Sequence, residues 1–485
     1  MPYVFRGPFV TIKSEWKRNA WQKFVRGDSV LNIQTAVLTV ADSRDDYFAQ
    51  RAHFVDEFLK ELDWMRDVGG CYWSPVIRRM EQIPEEVRKL TAFGAQSIVL
   101  HVPIWADPAF ASGIAVQTDL PVVLLGNSHP GTSSVVGLLG AGGALDQINR
   151  RHERIIGLED GGKERLVSFL KAAAAAACLR GKSMVRFGDC SLGIMTANPD
   201  AMLWLKDFGV SVRYVDQSEI VKEAEALDTE EVEACRSWLT SALGSITFSG
   251  EFTPEIFYRQ IRSYLATKKL ADQHHAAFVG VKCQPELSNH YTAQCLAHML
   301  LNGPVDETGA KAPLVHACES DANGAITMYL LGLLSGGSAS LMDVRKVDTV
   351  SGRWILANCG AVPSDHYAAP GECPMKGARM CRHLFGEAGG GACTGTVKSG
   401  TVTMARLCLK ENRHWMAIVR GCVQEMDAET RALAPAEFPA ALIQTAPMED
   451  FLQVYDSNHI HITFGDVSQA LVEFCRLKDI PYRLW

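Results

Sequence analysis

The sequence carries no basic surplus: 48 lysines and arginines stand against 55 aspartates and glutamates, for a formal net charge of −7. Proteins that neutralise a phosphate backbone need the opposite balance, so no nucleic acid partner is expected. A long uncharged apolar run is also missing, since glycine and serine break the most apolar helix candidates; no membrane partner is expected. The first residues, MPYVFRGPFVTIKSEWKRNAWQKF, scatter charges among apolar side chains and lack the continuous apolar stretch of a signal peptide. A cytoplasmic protein is expected. The 14 cysteines include no CxxC pair, which leaves a zinc-finger site without support and reads as buried free thiols in a reducing compartment. The glycines of Gly126 to Gly131 and Gly137 to Gly143 form no GxGxxG after a strand, so they read as tight turns and close helix packing. Gly181-Lys182-Ser183 is not a P-loop, because Ala176 stands where the upstream glycine belongs.

What is present is the composition of a globular protein, 47% hydrophobic and 21% charged, over 485 residues. That length exceeds one ordinary core and predicts two or three domains. SVLNIQTAVLTVAD, QSIVLHVPIWADP and DLPVVLLGNSHPG alternate apolar strands with helical spacing and Gly-rich turns, and a helix over Leu166 to Leu179, containing Ala172 to Ala177, closes a first α/β layer. MVRFGDCSLGIMTA begins a second. SEIVKEAEALDTEEVEACRSWL reads as one or two solvated amphipathic helices, and adjacent His274 and His275 cannot both face one site on a helix. Past Arg345 the pattern changes to short strands rich in Gly and Pro, mostly antiparallel β, with a short helix near Val467 to Arg476. The domain reading is 1–178, N-terminal α/β; 179–345, second α/β; and 346–485, β-rich.

The chain is organised around Leu314 to Arg345. A strand-like run, Leu314 to Cys318, meets Glu319; a turn leads into a helix from Ala325 to Leu334; a second apolar run, Ser338 to Met342, meets Asp343. Read as a right-handed βαβ unit, this sets Glu319 and Asp343 at the carboxyl ends of two parallel strands, where open sheets bind ligands. Two such acids suit acid/base work or metal ligation. Strand-end carboxylates also serve as solvated loop residues or helix N-caps, and Asp321 is placed to cap the helix that follows. His459, after Asn458, either is a satisfied structural histidine or, if the C-terminal segment folds back, completes a two-carboxylate, one-histidine set.

These residues resemble the L-fucose isomerase family and its L-arabinose isomerase relatives. Glu319-Ser320-Asp321-Ala322-Asn323-Gly324-Ala325 is similar to the family's metal-binding segment, Asp343-Val344-Arg345 follows at the family's spacing, and Asn458-His459 resembles the pair that supplies the histidine ligand. RGKSMVRFGDCSLGI is similar to the start of the family's second domain, while Pro103 to Trp105 and Pro121 to Gly131 are similar to its first. FGEAGGGACTGTV resembles a glycine-rich loop of the C-terminal domain. The resemblance implies two Rossmann-like α/β domains followed by a β-rich C-terminal domain. It also implies a hexamer in which Trp105 reaches a neighbour's pocket, with Gln284 lining the pocket. Two departures concern the substrate: Gly389-Gly390-Gly391 is followed by Ala392 where relatives carry tyrosine, and Lys282 stands where a neutral glutamine is familiar.

The activity implied is conversion of an aldose to a ketose, of L-fucose or D-arabinose type, through a cis-enediol. Charge developing on the two sugar oxygens needs stabilisation, which a divalent cation supplies as a Lewis acid; Mn²⁺ suits this donor set, and Mg²⁺ would tolerate it. Glu319, Asp343 and His459 are expected to hold the metal, with Glu319 and Asp343 also relaying protons. Lys282, Gln284 and Asn458 are expected on the sugar hydroxyls. Lys282 and the absent tyrosine are also compatible with a sulfonated hexose, sulfoquinovose, while a non-catalytic sugar-binding homologue would need no acid pair.

Overall fold

The computed structural model describes residues 31–369 and 373–485; the reading of the N-terminal stretch falls outside them. The described chain divides into two compact units, Leu31–Arg180 with Gln469–Ile480, and Gly181–Ser468 with Pro481–Trp485.

The first unit is a five-stranded parallel sheet. Its strands are β1 (Gln34–Thr39), β2 (Gly70–Trp73), β3 (Ser97–Val102), β4 (Val122–Gly126) and β5 (His152–Ile156), in the order β2-β1-β3-β4-β5. The central strands are apolar on both faces because helices cover both sides of such a sheet. Val37, Val99 and Val123 stand in register across β1, β3 and β4, all buried. Between them run α1 (Asp45–Lys60), α2 (Ile83–Phe93) and α3 (Ser134–Gln147), and α4 (Gly162–Leu179) follows β5. In α1, Asp45 and Asp46 in the first turn and Lys60 in the last complement the helix dipole. In α4 the buried run Ala172 to Ala176 lets the backbone pack closely.

The second unit holds two larger sheets. Strands β6 (Ser183–Phe187), β7 (Ser211–Val215), β8 (Phe278–Val281) and β9 (Val315–Ala317) form a parallel sheet in the order β9-β8-β6-β7. The acidic stretch is a pair of helices, α5 (Ser218–Glu225) and α6 (Thr229–Ala242), followed by α7 (Pro254–Gln273), which Thr253 caps through Ile256 N–H. The other sheet is antiparallel except for its last strand. It runs through β10 (Ala339–Asp348), β11 (Arg353–Ala357), β12 (Gly400–Lys410), β13 (Arg413–Gln424), β14 (Ala440–Gln444), β15 (His459–Phe464) and the short β16 (Tyr482–Leu484). In space the order is β12-β15-β10-β11-β14-β13-β16, and β12 pairs back onto β13, closing a barrel. The last strand, β16, pairs parallel with β13.

This topology corrects one expectation. The helix after β9 is α8 (Ala322–Ser335), but it does not return to the parallel sheet: β10 pairs antiparallel with β11 and β15. Asp343 lies in the middle of a ten-residue strand, not at its end. The reason is visible in Asp343 to Asp348, where polar residues are interspersed with Val344 and Val347 across a register shift between Val344 and Lys346. A strand with one wet edge belongs to an antiparallel sheet, not to a doubly covered parallel one.

Candidate active site

Three distant stretches of the second unit meet at one point. Asp343 and His459 are register partners across β10 and β15, and cross-strand neighbours on one face stand about 5 Å apart. Glu319 reaches them from the turn between β9 and α8. His459 Nε2 lies 3.0 Å from Glu319 Oε2 and 3.5 Å from Asp343 Oδ1. His459 is fully buried and Glu319 nearly so. Glu319 and Ser320 both adopt left-handed backbone conformations, each with φ of 55°. For residues with a side chain this costs about 1–3 kcal/mol, and it turns the Glu319 carboxylate toward the barrel.

The other imidazole nitrogen explains the orientation. His459 Nδ1 is 2.8 Å from Asp321 Oδ2, so Nε2 is the nitrogen presented to the acid pair. Asp321 does cap α8, its Oδ1 accepting from Gly324 N–H at 2.9 Å, and the same carboxylate also accepts from the buried guanidinium of Arg406. Arg406 in turn donates to the Thr196 carbonyl at 3.0 Å. Below the turn, buried Arg186 donates to Ser320 Oγ at 2.8 Å and to Asn198 Oδ1 at 2.6 Å. Gly324 is required by close approach: a Cβ there would lie 2.4 Å from His461 Nε2 and 2.6 Å from Asp321 Oδ2.

Burial opposes charge on His459, but its bonds to Asp321 and Glu319 outweigh that and hold the imidazole pKa up to about 9. Burial also opposes ionisation of Asp321, yet Arg406 and His459 keep its carboxyl far below the usual range. Asp343 goes the other way. Burial, aided by repulsion from Glu319, raises its carboxyl despite His459 and Arg345. Two carboxyls pushed in opposite directions within one site is the pattern of assigned protonation states.

Asn458 lends its main-chain carbonyl to Val344 N–H at 2.9 Å, and its side chain is exposed. Gln284 Nε2 donates to Cys359 Sγ at 3.8 Å while its carbonyl accepts from Ser191 Oγ at 2.6 Å. Lys282 Nζ is 2.7 Å from Glu286 Oε1, so a carboxylate already offsets its charge. Trp105 belongs to the first unit, in the loop after β3, where its N–H donates to the Thr132 carbonyl. Sequence reasoning missed Arg406, Arg186 and the second task of Asp321. An arginine at an inward position of the apolar strand TVTMARLCLK was the readable signal for the first.

Among the described residues no group of three or more His, Cys, Asp or Glu side chains stands ready as placed to hold a metal ion, so loading would shift at least one of them. The donor chemistry nevertheless fits: two carboxylates and one imidazole suit a hard divalent cation. A carboxylate fixing the far nitrogen of the histidine is the usual support for such a ligand.

Comparison with known proteins finds sugar isomerases among the relatives of this chain. Residues 356–485 match the model of the L-fucose isomerase, C-terminal domain. A sulfoquinovose isomerase of Priestia aryabhattai is 21% identical over 467 residues, covering 93% of this chain and 99% of its own. An L-fucose isomerase of Klebsiella pneumoniae subsp. pneumoniae is 22% identical over 398 residues, 66% of this chain and 67% of its own. One from Haemophilus influenzae is 26% identical over 208 residues, 38% and 35% of the two chains. The chain is therefore similar to L-fucose isomerases and to a sulfoquinovose isomerase, with its residues 356–485 matching the L-fucose isomerase C-terminal domain. No helix among the described residues is long and apolar enough to cross a membrane.

Proposed function

We propose that this chain is a metal-dependent aldose–ketose isomerase acting on a monosaccharide through a cis-enediol. The observation that carries the reading is the meeting of Glu319 and Asp343 on the one imidazole nitrogen of His459. Glu319, Asp343 and His459 would hold a divalent cation, Mn²⁺ by expectation, whose chemistry is to offset negative charge developing on the sugar oxygens. Moving a proton between adjacent carbons needs one group to take it and one to return it. Asp343, its carboxyl raised by burial, is suited to carry a proton, and Glu319 to accept one. Gln284, Asn458 and Lys282 would bind sugar hydroxyls. Trp105 would do so from a neighbouring copy in a hexamer.

Two sugars are in view. A neutral aldose of L-fucose or D-arabinose type fits the acid pair, and the Lys282–Glu286 pair removes one argument for an anionic tail. A sulfonated hexose is favoured by the relative matched over nearly its whole length, which is a sulfoquinovose isomerase. The test is an isomerisation assay on metal-stripped protein with Mn²⁺ restored, in ²H₂O, over neutral and sulfonated aldoses. Turnover with deuterium entering beside the carbonyl supports proton transfer and identifies the sugar. Turnover without deuterium uptake would point to hydride shift, and Mn²⁺ binding without turnover on any sugar would favour a sugar-binding protein.

A further inference from the structure

The strands β8 and β9 are parallel neighbours, with Val279 opposite His316 and Gly280 opposite Ala317. Just past the end of each strand stands a cysteine that immediately precedes a site residue: Cys283, two residues after β8 and before Gln284, and Cys318, directly after β9 and before Glu319. The two sulfurs lie 3.5 Å apart, both thiols free and buried. A third thiol, Cys359, hydrogen bonds to Cys318 and receives the Gln284 side-chain N–H. Nothing in the isomerase chemistry uses sulfur, and a pair of buried thiols in contact is not needed to fill a core that alanine or valine would fill as well.

We propose that Cys283 and Cys318 form a redox modification site: a small hydroperoxide oxidises the pair to a disulfide that displaces Glu319. The step is balanced. Two S–H bonds and the peroxide O–O bond break, one S–S bond forms, and with hydrogen peroxide the two thiol protons leave in two waters. The sulfurs lose two electrons, which the peroxide gains. Bringing sulfurs from 3.5 Å to the bonded distance of about 2.05 Å must draw the two strand ends together. The part of this path with least slack is the turn at Glu319 and Ser320, already held in left-handed conformations. Glu319 therefore moves relative to His459, and a misplacement of about 1 Å at a reacting group costs on the order of 100-fold in rate. Reduction by a dithiol reverses the change.

The experiment treats the Mn²⁺-loaded full chain with hydrogen peroxide, quenches, alkylates free thiols and maps linked peptides by mass spectrometry, beside turnover and its recovery in dithiothreitol. The expected result is a Cys283–Cys318 link and turnover lower by about 100-fold in the linked fraction, restored by reduction. Cys283→Ala, or Cys283→Ser should the first fold poorly, keeps its turnover through the same treatment. A link from Cys318 to Cys359, no link at all, or full turnover in linked protein would overturn the proposal. The map reads the modification without knowledge of the sugar, so its failure is distinguishable from failure of the isomerase reading.

Discussion

The Nδ1 of His459 and the Oδ2 of Asp321 lie 2.8 Å apart in a fully buried contact, and Asp321 is at once the cap of α8 and the partner of Arg406. One carboxylate thus fixes a helix end, an imidazole orientation and a buried guanidinium.

Removing that carboxylate's charge should be costly. In Asp321→Asn, Arg406 is left buried without its counter-charge, an error worth about 3–5 kcal/mol, although asparagine can still cap the helix. Urea unfolding of Asp321→Asn, Arg406→Met and the double variant is expected to give a double-variant loss well below the sum of the singles. Additive losses would mean that the pair does not interact as described.

Glu319→Gln and Asp343→Asn should each lower turnover by about 100-fold or more while leaving the unfolding midpoint close to that of the parent. Near-normal turnover of either variant in saturating Mn²⁺ would remove that residue from the proton relay.

Metal affinity should depend on a residue that never touches the metal. Because Asp321 orients His459, Asp321→Asn should weaken Mn²⁺ binding by about 10- to 100-fold, read by calorimetry on stripped protein. Unchanged affinity would show that His459 needs no such support, and a parent protein that bound no Mn²⁺ would undo the ligand set.

Acid should destabilise the second unit through two histidines outside the site. His298 and His316 are buried with their Nδ1 atoms 3.4 Å apart, and burial lowers their pKa values to about 3 and about 4 from 6.5. Both folded values are depressed, so the unfolded chain binds more protons below pH 6.5. The stability tied to neutral rings is complete above that pH and lost as pH falls toward 4, at about 1 kcal/mol per histidine per pH unit. Denaturant midpoints at pH 7.5 and 5.5 should therefore differ, and His298→Leu should flatten the dependence. Identical slopes in parent and variant would dismiss the mechanism.

Gly324→Ala should destabilise although it adds only a methyl group to a helix. The new carbon would meet His461 Nε2 and Asp321 Oδ2 well inside contact distance, an overpacking cost of about 1–3 kcal/mol that outweighs the gain in helix propensity. Unfolding curves that show equal or greater stability would mean that the helix end has room to shift.

Much of this was legible in the amino-acid order. Apolar runs such as QTAVLT and SIVLHV announce parallel strands because a sheet covered on both faces needs no alternation. Glu319, Asp321, Asp343 and His459 were identifiable as chemistry-bearing groups, and Asp321 as a cap, because capping is local. The direction taken after α8 was not: a short apolar run such as Ser338 to Met342 fits either kind of sheet, and only pairing with β11 and β15 decides which. The closeness of Asp343 to His459 is a consequence of antiparallel register, and register is set by partners far away in the chain. Lys282 shows the same limit, since its charge was evident in the sequence but its neutralisation by Glu286 depends on the turn after β8. By itself, then, the sequence determined which elements form and which side chains carry charge, because propensity and periodicity act over a few residues. Only the tertiary structure decided which of those charges meet, because burial and pairing are properties of the assembled sheets.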